Sequence, residues 1–145
     1  MNDLVQQMKV ILASTFAFYL KAHNFHWNVE GPYFSEYHKL FGDIYGDLWE
    51  AVDGIAEKIR TLDAYAPGSL TRFSQLSIID DQINIPAAPK MISELLSDNS
   101  KMISELNKAF AMADKANKQG LADFIAGRID IHEKHGWFLR ALSKQ

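Results

Sequence analysis

Apolar side chains recur at alternating three- and four-residue steps along four long stretches of this chain. From about residue 3 to 28, Leu4, Met8, Ile11, Leu12, Thr15, Phe18 and Tyr19 share one helical face, with no Gly or Pro to interrupt it. Val29-Glu30-Gly31-Pro32 reads as a turn. A second helix is predicted over about 34–64, where Tyr37, Phe41, Ile44, Leu48, Val52, Ile55, Ile59 and Leu62 step by 4, 3, 4, 4, 3, 4 and 3. Ala66 to Pro89 breaks the pattern with Pro67-Gly68, a short helix over Leu70–Leu76, and then IDDQINIPAAP. A third helix, about 88–114, turns Ile92, Leu95, Leu96, Met102, Ile103, Leu106 and Phe110 inward. It contains KMISEL twice, starting at Lys90 and Lys101; the offset is close to three turns, so both copies present the same face, as in a helical repeat and unlike a domain duplication. A fourth helix, about 118–143, carries Leu121, Phe124, Ile125, Ile129 and Leu139.

These elements predict an all-α protein of a single domain, residues 1–145. Four long helices, with one long crossover carrying a short helix between the second and third, are the topology of a ferritin-like four-helix bundle. An unrelated four-helix bundle would share the same periodicity.

Composition removes several chemistries. The chain has no cysteine, which excludes disulfides, thiolate metal sites and a cysteine nucleophile. The net charge of −3 argues against a strong electrostatic grip on nucleic acid. The first residues lack the features of a secretory signal, and no apolar run is long enough to span a membrane, so a cytoplasmic location is expected.

The candidate chemistry lies between His23 and Glu57. His26 and His38 are twelve residues apart, and fifteen residues after His38 comes Asp53, one turn before Glu57. Imidazole and carboxylate together suit iron or another first-row divalent metal. The internal di-iron site of ferritin-like bundles needs Glu-x-x-His on two helices, and no Asp or Glu here is followed three residues later by His. Any site must be built differently. At about 100° per residue with His38 at zero, the apolar stripe of the second helix centres near 270°, while Asp53 falls near 60° and Glu57 near 100°. These side chains point away from the bundle core. Gly42, Gly46, Trp49 and Ala56 flank them, so this face reads as an isologous subunit interface at which His26 and His38 of one subunit meet Asp53 and Glu57 of its partner. A solvated helix face would be the alternative reading of the two carboxylates, and a helix-end structural role that of His26.

His26-Trp27-Asn28-Val29-x-Gly31-Pro32-x-Phe34, then His38, then Asp53-x-x-x-Glu57, resembles the signature of the Dps proteins, the mini-ferritins named as DNA-binding proteins from starved cells. His132-Glu133-Lys134-His135-Gly136-Trp137-Phe138-Leu139-Arg140-Ala141 resembles the last helix of that family, and the likeness covers nearly the whole chain. The resemblance implies a dodecameric hollow shell that oxidises Fe(II) with hydrogen peroxide, or O2, at two-fold interfaces and stores ferric oxide inside. It implies His26, His38, Asp53 and Glu57 as the iron ligands, with Trp27 beside the site as an interceptor of oxidising equivalents. One departure matters: the family usually has an acid four residues after the second histidine, and this chain has Gly42, with Asp43 one step round the helix. One tightly held iron per site and a looser second one are therefore expected.

The resemblance also places Asp123 near a three-fold pore, and Asp130 lies on the same helix face, where a ring of carboxylates would attract cations; ordinary surface acids would look the same. His23 with His26, and His132 with His135, are each one turn apart, but two histidines do not complete a zinc site, so structural or accessory roles are expected. DNA binding is expected to be weak or absent, because the terminal segments carry few Lys or Arg. Two other readings stand beside the iron-oxidising shell. One is a Dps-like shell with an impaired site that acts as a structural or DNA-coating stress protein. The other is a haem-binding ferritin relative using Met1, Met8, Met91, Met102 or Met112, although Met at helical spacing is usually core filler.

Overall fold

A computed structural model describes residues 1–144. It contains α1 (Asn2–Asn28), α2 (Phe34–Thr61), α3 (Leu70–Leu76), α4 (Ala88–Lys115) and α5 (Gln119–Ser143). Every element predicted from periodicity is present. α2 ends three residues early, because Asp63 adopts a left-handed φ of 60° and the Ala64 N–H turns back to the Ile59 carbonyl. Phe110 departs from expectation: it lies at the rim of the α4 stripe and is 37% exposed.

The five residues between α1 and α2 force an antiparallel hairpin, with Gly31 at φ 120°, a conformation that costs an L side chain strain. Gln7 bonds to Glu105 while Lys21 meets Asp98, so α4 also runs antiparallel to α1. α5 returns against α4 after a short turn. α2 and α4 are therefore parallel, and residues 62–87 must cross from one end of the bundle to the other. That crossover is tied down along α1 and α4. The Ile78 N–H donates to Ser14 Oγ (3.0 Å), Lys21 Nζ donates to the Asp80 carbonyl (3.2 Å), and Gln82 Nε2 reaches Glu94 (3.0 Å).

The core is built from Met8, Ile11, Phe18, Phe25, Phe41, Ile44, Leu48, Ile55, Met91, Leu95 and Met102, all fully buried or nearly so. Met8, Met91 and Met102 are thus packed in hydrocarbon. The centre of the bundle is nevertheless polar. Arg128 donates two parallel hydrogen bonds to Asp47 (2.8 and 3.0 Å), and His135 Nε2 lies 2.8 Å from the same carboxylate. His132 is 1% exposed. Arg128 can only donate, so His132 Nε2 (3.1 Å) accepts and its Nδ1–H donates to Asn99 Oδ1 (2.8 Å). The imidazole is neutral: burial pushes its pKa down to about 3, with Arg128 and His135 acting in the same direction. Burial opposes ionisation of Asp47, but hydrogen bonds from His135 and Arg128 outweigh it and hold its carboxyl well below the usual range.

This arrangement sets a pH dependence. The unfolded chain protonates His132 near pH 6.5, the folded chain only near 3. Stability should therefore be unaffected by this group above about pH 6.5 and fall as pH drops from there, by up to about 1.4 kcal/mol per pH unit. Below the ordinary carboxylate range the Asp47 contribution is lost as well. Urea titrations from pH 7 to 4 should show the decline, and His132→Gln should flatten it; an unchanged slope in that variant would remove His132 from the account.

Candidate metal centre

The last turn of α1 and the first turns of α2 bring His26 and His38 together. Their rings stack 3.7 Å apart at 19°, and each is locked by the other's backbone: His26 Nδ1 lies 2.7 Å from the His38 carbonyl, and His38 Nδ1 lies 2.7 Å from the His26 carbonyl. A carbonyl oxygen can only accept, so both Nδ1 atoms carry the proton. Both Nε2 atoms then keep a lone pair, and the carbonyl holding each Nδ1–H fixes the ring so that this lone pair is available to a metal. The turn through Gly31 sets this reciprocal clasp, and Phe34 stacks on the outer side of His38 at 5.0 Å.

Gly42 is more than a missing carboxylate. A Cβ there would lie 3.2 Å from both Cε1 and Nδ1 of His26, so the imidazole rests against the α2 backbone. Asp43 points elsewhere, paired with Lys39 at 3.0 Å on the exposed side.

Asp53 and Glu57 are exposed, as the helical arithmetic anticipated. Fifteen residues of α2 separate Asp53 from His38, which places them about 22 Å apart along the axis. One chain therefore does not join the two halves of the predicted ligand set, and among the described residues no three His, Asp or Glu side chains converge on a possible metal position. Trp27 is 59% exposed on the same outer face and Trp49 is 55% exposed. On α5, Asp123 and Asp130 are both exposed. His132 and His135 belong to the polar centre of the bundle through Asn99, Arg128 and Asp47.

The structure also assembles a group the sequence reading missed. His23 is sandwiched between Tyr45 (3.8 Å, 7°) and Trp27 (3.9 Å), and its Nδ1 is 3.0 Å from the Tyr19 hydroxyl. Tyr19 in turn lies 5.0 Å from Trp49. Burial and the neighbouring His26 lower the His23 pKa, while burial and Tyr45 raise that of Tyr19. The signal was present: Tyr19 is four residues before His23, and Tyr45, seven after His38, returns to the same helix face.

The ferritin-like domain family matches residues 5–145. A DNA protection during starvation protein of Brevibacillus brevis is 30% identical, over 97% of this chain and 98% of its own length. The chain belongs to the Dps family of ferritin-like proteins. The Dps crystal structure from Staphylococcus aureus superposes with a TM-score of 0.96 at 28% identity, covering 100% of this chain and 97% of that one. A Dps protein from Vibrio cholerae O1, described as a member of a broad superfamily of ferritin-like diiron-carboxylate proteins, gives 0.94 at 26% identity, over 99% and 90% of the two chains. Among the described residues of this Dps-family chain, no helix is long and apolar enough to cross a membrane.

Proposed function

We propose that this Dps-family protein assembles with copies of itself into a hollow shell, oxidises Fe(II) with hydrogen peroxide or O2 at sites shared between two-fold-related subunits, and stores the ferric product inside. The observation that carries this is the half-site: two imidazoles with fixed tautomers and free Nε2 lone pairs, with no third ligand among the described residues of their own chain. Asp53 and Glu57 are displayed on the same outward face of α2 and would complete the set from an antiparallel partner. All three tryptophans, Trp27, Trp49 and Trp137, are more than half exposed in the isolated chain, a costly state that burial between subunits would relieve. A dodecamer is the assembly the family relationship favours.

Iron is substrate and cargo here. Neutral imidazole and anionic carboxylate hold Fe(II), and the carboxylates favour the harder Fe(III) product. Asp123 and Asp130 would attract entering cations if a three-fold axis gathers them; DNA binding is weak at a net charge of −3. The deciding experiment loads apo-protein with excess Fe(II) under peroxide and follows iron through size exclusion. Iron eluting with a large assembly, far beyond interface stoichiometry, is expected. A large assembly that retains none would favour the second reading, a structural or DNA-coating shell whose site is impaired at Gly42.

The Gly42 position makes its own prediction. The wild-type protein should bind one Fe(II) per site tightly and a second loosely. Gly42→Asp should tighten the second, provided the His26 ring yields by a few tenths of an ångström to the new Cβ. Anaerobic ferrous titration reads both; two equally tight irons in the wild type would contradict this account.

A further inference from the structure

The centre of the bundle gathers metal-ligating side chains that the interface chemistry does not use. Di-iron bundles of the ferritin-like type project carboxylates and a Glu-x-x-His pair into their interior. Here α2 supplies Asp47, and α5 supplies His132 and His135 at the same three-residue spacing, with histidine standing where that motif has glutamate. Imidazole and carboxylate suit first-row divalent ions. Yet the space between them is filled by a side chain: Arg128 Nη2 lies 3.0 Å from Asp47 Oδ2 and 3.1 Å from His132 Nε2. We propose that the Arg128 guanidinium takes the place of an internal metal ion, as a cation built into the chain, and bars divalent metals from the bundle interior.

The groups around the guanidinium are arranged as ligands would be. His132 has its Nδ1–H held by Asn99 Oδ1 at 2.8 Å, and the Asn99 amide donates back to the His132 carbonyl at 2.8 Å. Such a partner fixes the tautomer and aims the Nε2 lone pair, here at Arg128 instead of a metal. Phe18 stacks on the same imidazole at 6.1 Å. Asp47 gives one oxygen to each terminal nitrogen of Arg128. His135 Nε2 is 2.8 Å from Asp47 Oδ2, and turning it off that carboxylate would make it a third donor. In the intact chain the three do not share a vacant position, because Arg128 engages two of them and Asp47 the other. A divalent ion entering beside the guanidinium would meet its positive charge in an interior where repulsion is far larger than in water. Arg128 cannot escape this by losing a proton. The bar matters because the centre is close to solvent. His135 lines a pocket of about 330 Å³ with Asp43 and Lys134, and the Asp47 side chain keeps 22% of its surface exposed.

This inference does not rest on the ferroxidase reading, and its test removes the interface histidines. Assembled protein carrying His26→Ala/His38→Ala is titrated with Co(II), with and without the further change His132→Gln. The signal is the visible Co(II) absorption that His132→Gln abolishes, which leaves ions held elsewhere out of the comparison. With Arg128 present, no such absorption is expected. Adding Arg128→Ala should produce it at about one Co(II) per subunit, and Co(II) should shift the urea midpoint of that variant upward, since a ligand of the folded state stabilises it. Arg128→Ala strands Asp47 in the interior, so the bulkier, uncharged Arg128→Gln is read beside it, and both are also refolded with Co(II) present. His132-dependent absorption in protein that keeps Arg128 would show that the guanidinium bars nothing. Its absence from folded Arg128→Ala and Arg128→Gln, or failure of both to fold even in Co(II), would show that no metal can replace the guanidinium; either result overturns the proposal.

Discussion

Protein made only of His26→Ala/His38→Ala subunits should oxidise Fe(II) no faster than buffer, and so should protein made only of Asp53→Ala/Glu57→Ala subunits. Assembled together from an equal mixture, they should recover about a quarter of the wild-type sites, because in the proposed arrangement a two-fold pair contains two sites and each draws its two halves from different chains. In either homodimer both sites lack one half. In the mixed pair one site lacks both halves and the other lacks neither. With random pairing, about half the interfaces are mixed and half of their sites are intact. The loss in each parent should exceed the roughly 10–100-fold that removing a ligand's hydrogen-bond partner costs, because here the ligands themselves are gone. The recovery carries more weight than the loss, since no defect in folding can be repaired by adding a second inactive protein. Recovery near zero, with mixed assembly verified by mass spectrometry, would mean that each site is built within one chain or does not exist.

That experiment depends on a separation that the sequence made legible. The four long helices could be read from the three- and four-residue steps, because a bundle buries one stripe per helix, and the crossover with its short helix from the break in those steps. Helical arithmetic also put Asp53 and Glu57 on the face opposite that stripe, and the fold leaves them exposed there. It could not reveal the reciprocal clasp of His26 and His38. Each imidazole bonds to a backbone carbonyl on another helix, and a periodic pattern carries no information about tertiary backbone contacts. For the same reason Gly42 reads in the sequence as a missing acid on a small-residue face, while the fold makes it the surface on which His26 rests. The polar centre was harder still. Arg128 and His132 fall in register with Leu121, Ile125 and Leu139, so a stripe drawn from apolar residues alone breaks on α5 where the buried face in fact continues. Lys21 and Asp98 do the same between Phe18 and Phe25 and between Leu95 and Met102. Charged residues in register with an apolar face are the signal of a buried network, provided partners on other helices can be named. Those partners come only from the packing.

The network makes Arg128→Ala the substitution with the largest expected effect on stability, roughly 3–5 kcal/mol, because removing one member of a buried ion pair strands the other. Arg128 is 6% exposed. Without it, Asp47 keeps His135 as a hydrogen-bond donor but loses the bidentate guanidinium, and His132 loses the donor to its Nε2. Removing both ends of the ion pair should be milder: Arg128→Met with Asp47→Leu replaces it by hydrocarbon of similar length, and such exchanges are often close to neutral. The double variant should therefore be more stable than Arg128→Ala, in urea titrations run at a fixed assembly state. The pH response supplies an independent check. Arg128 is one of the groups that keeps His132 unprotonated. With its charge gone, the folded-state pKa of His132 should move back up toward its unfolded value, so fewer protons are taken up on unfolding between pH 6.5 and 4. Arg128→Ala should thus be much less stable than wild type at pH 7 yet lose less further stability on acidification over that range. A variant equally destabilised at every pH would show that the guanidinium acts on Asp47 alone and leaves His132 to burial.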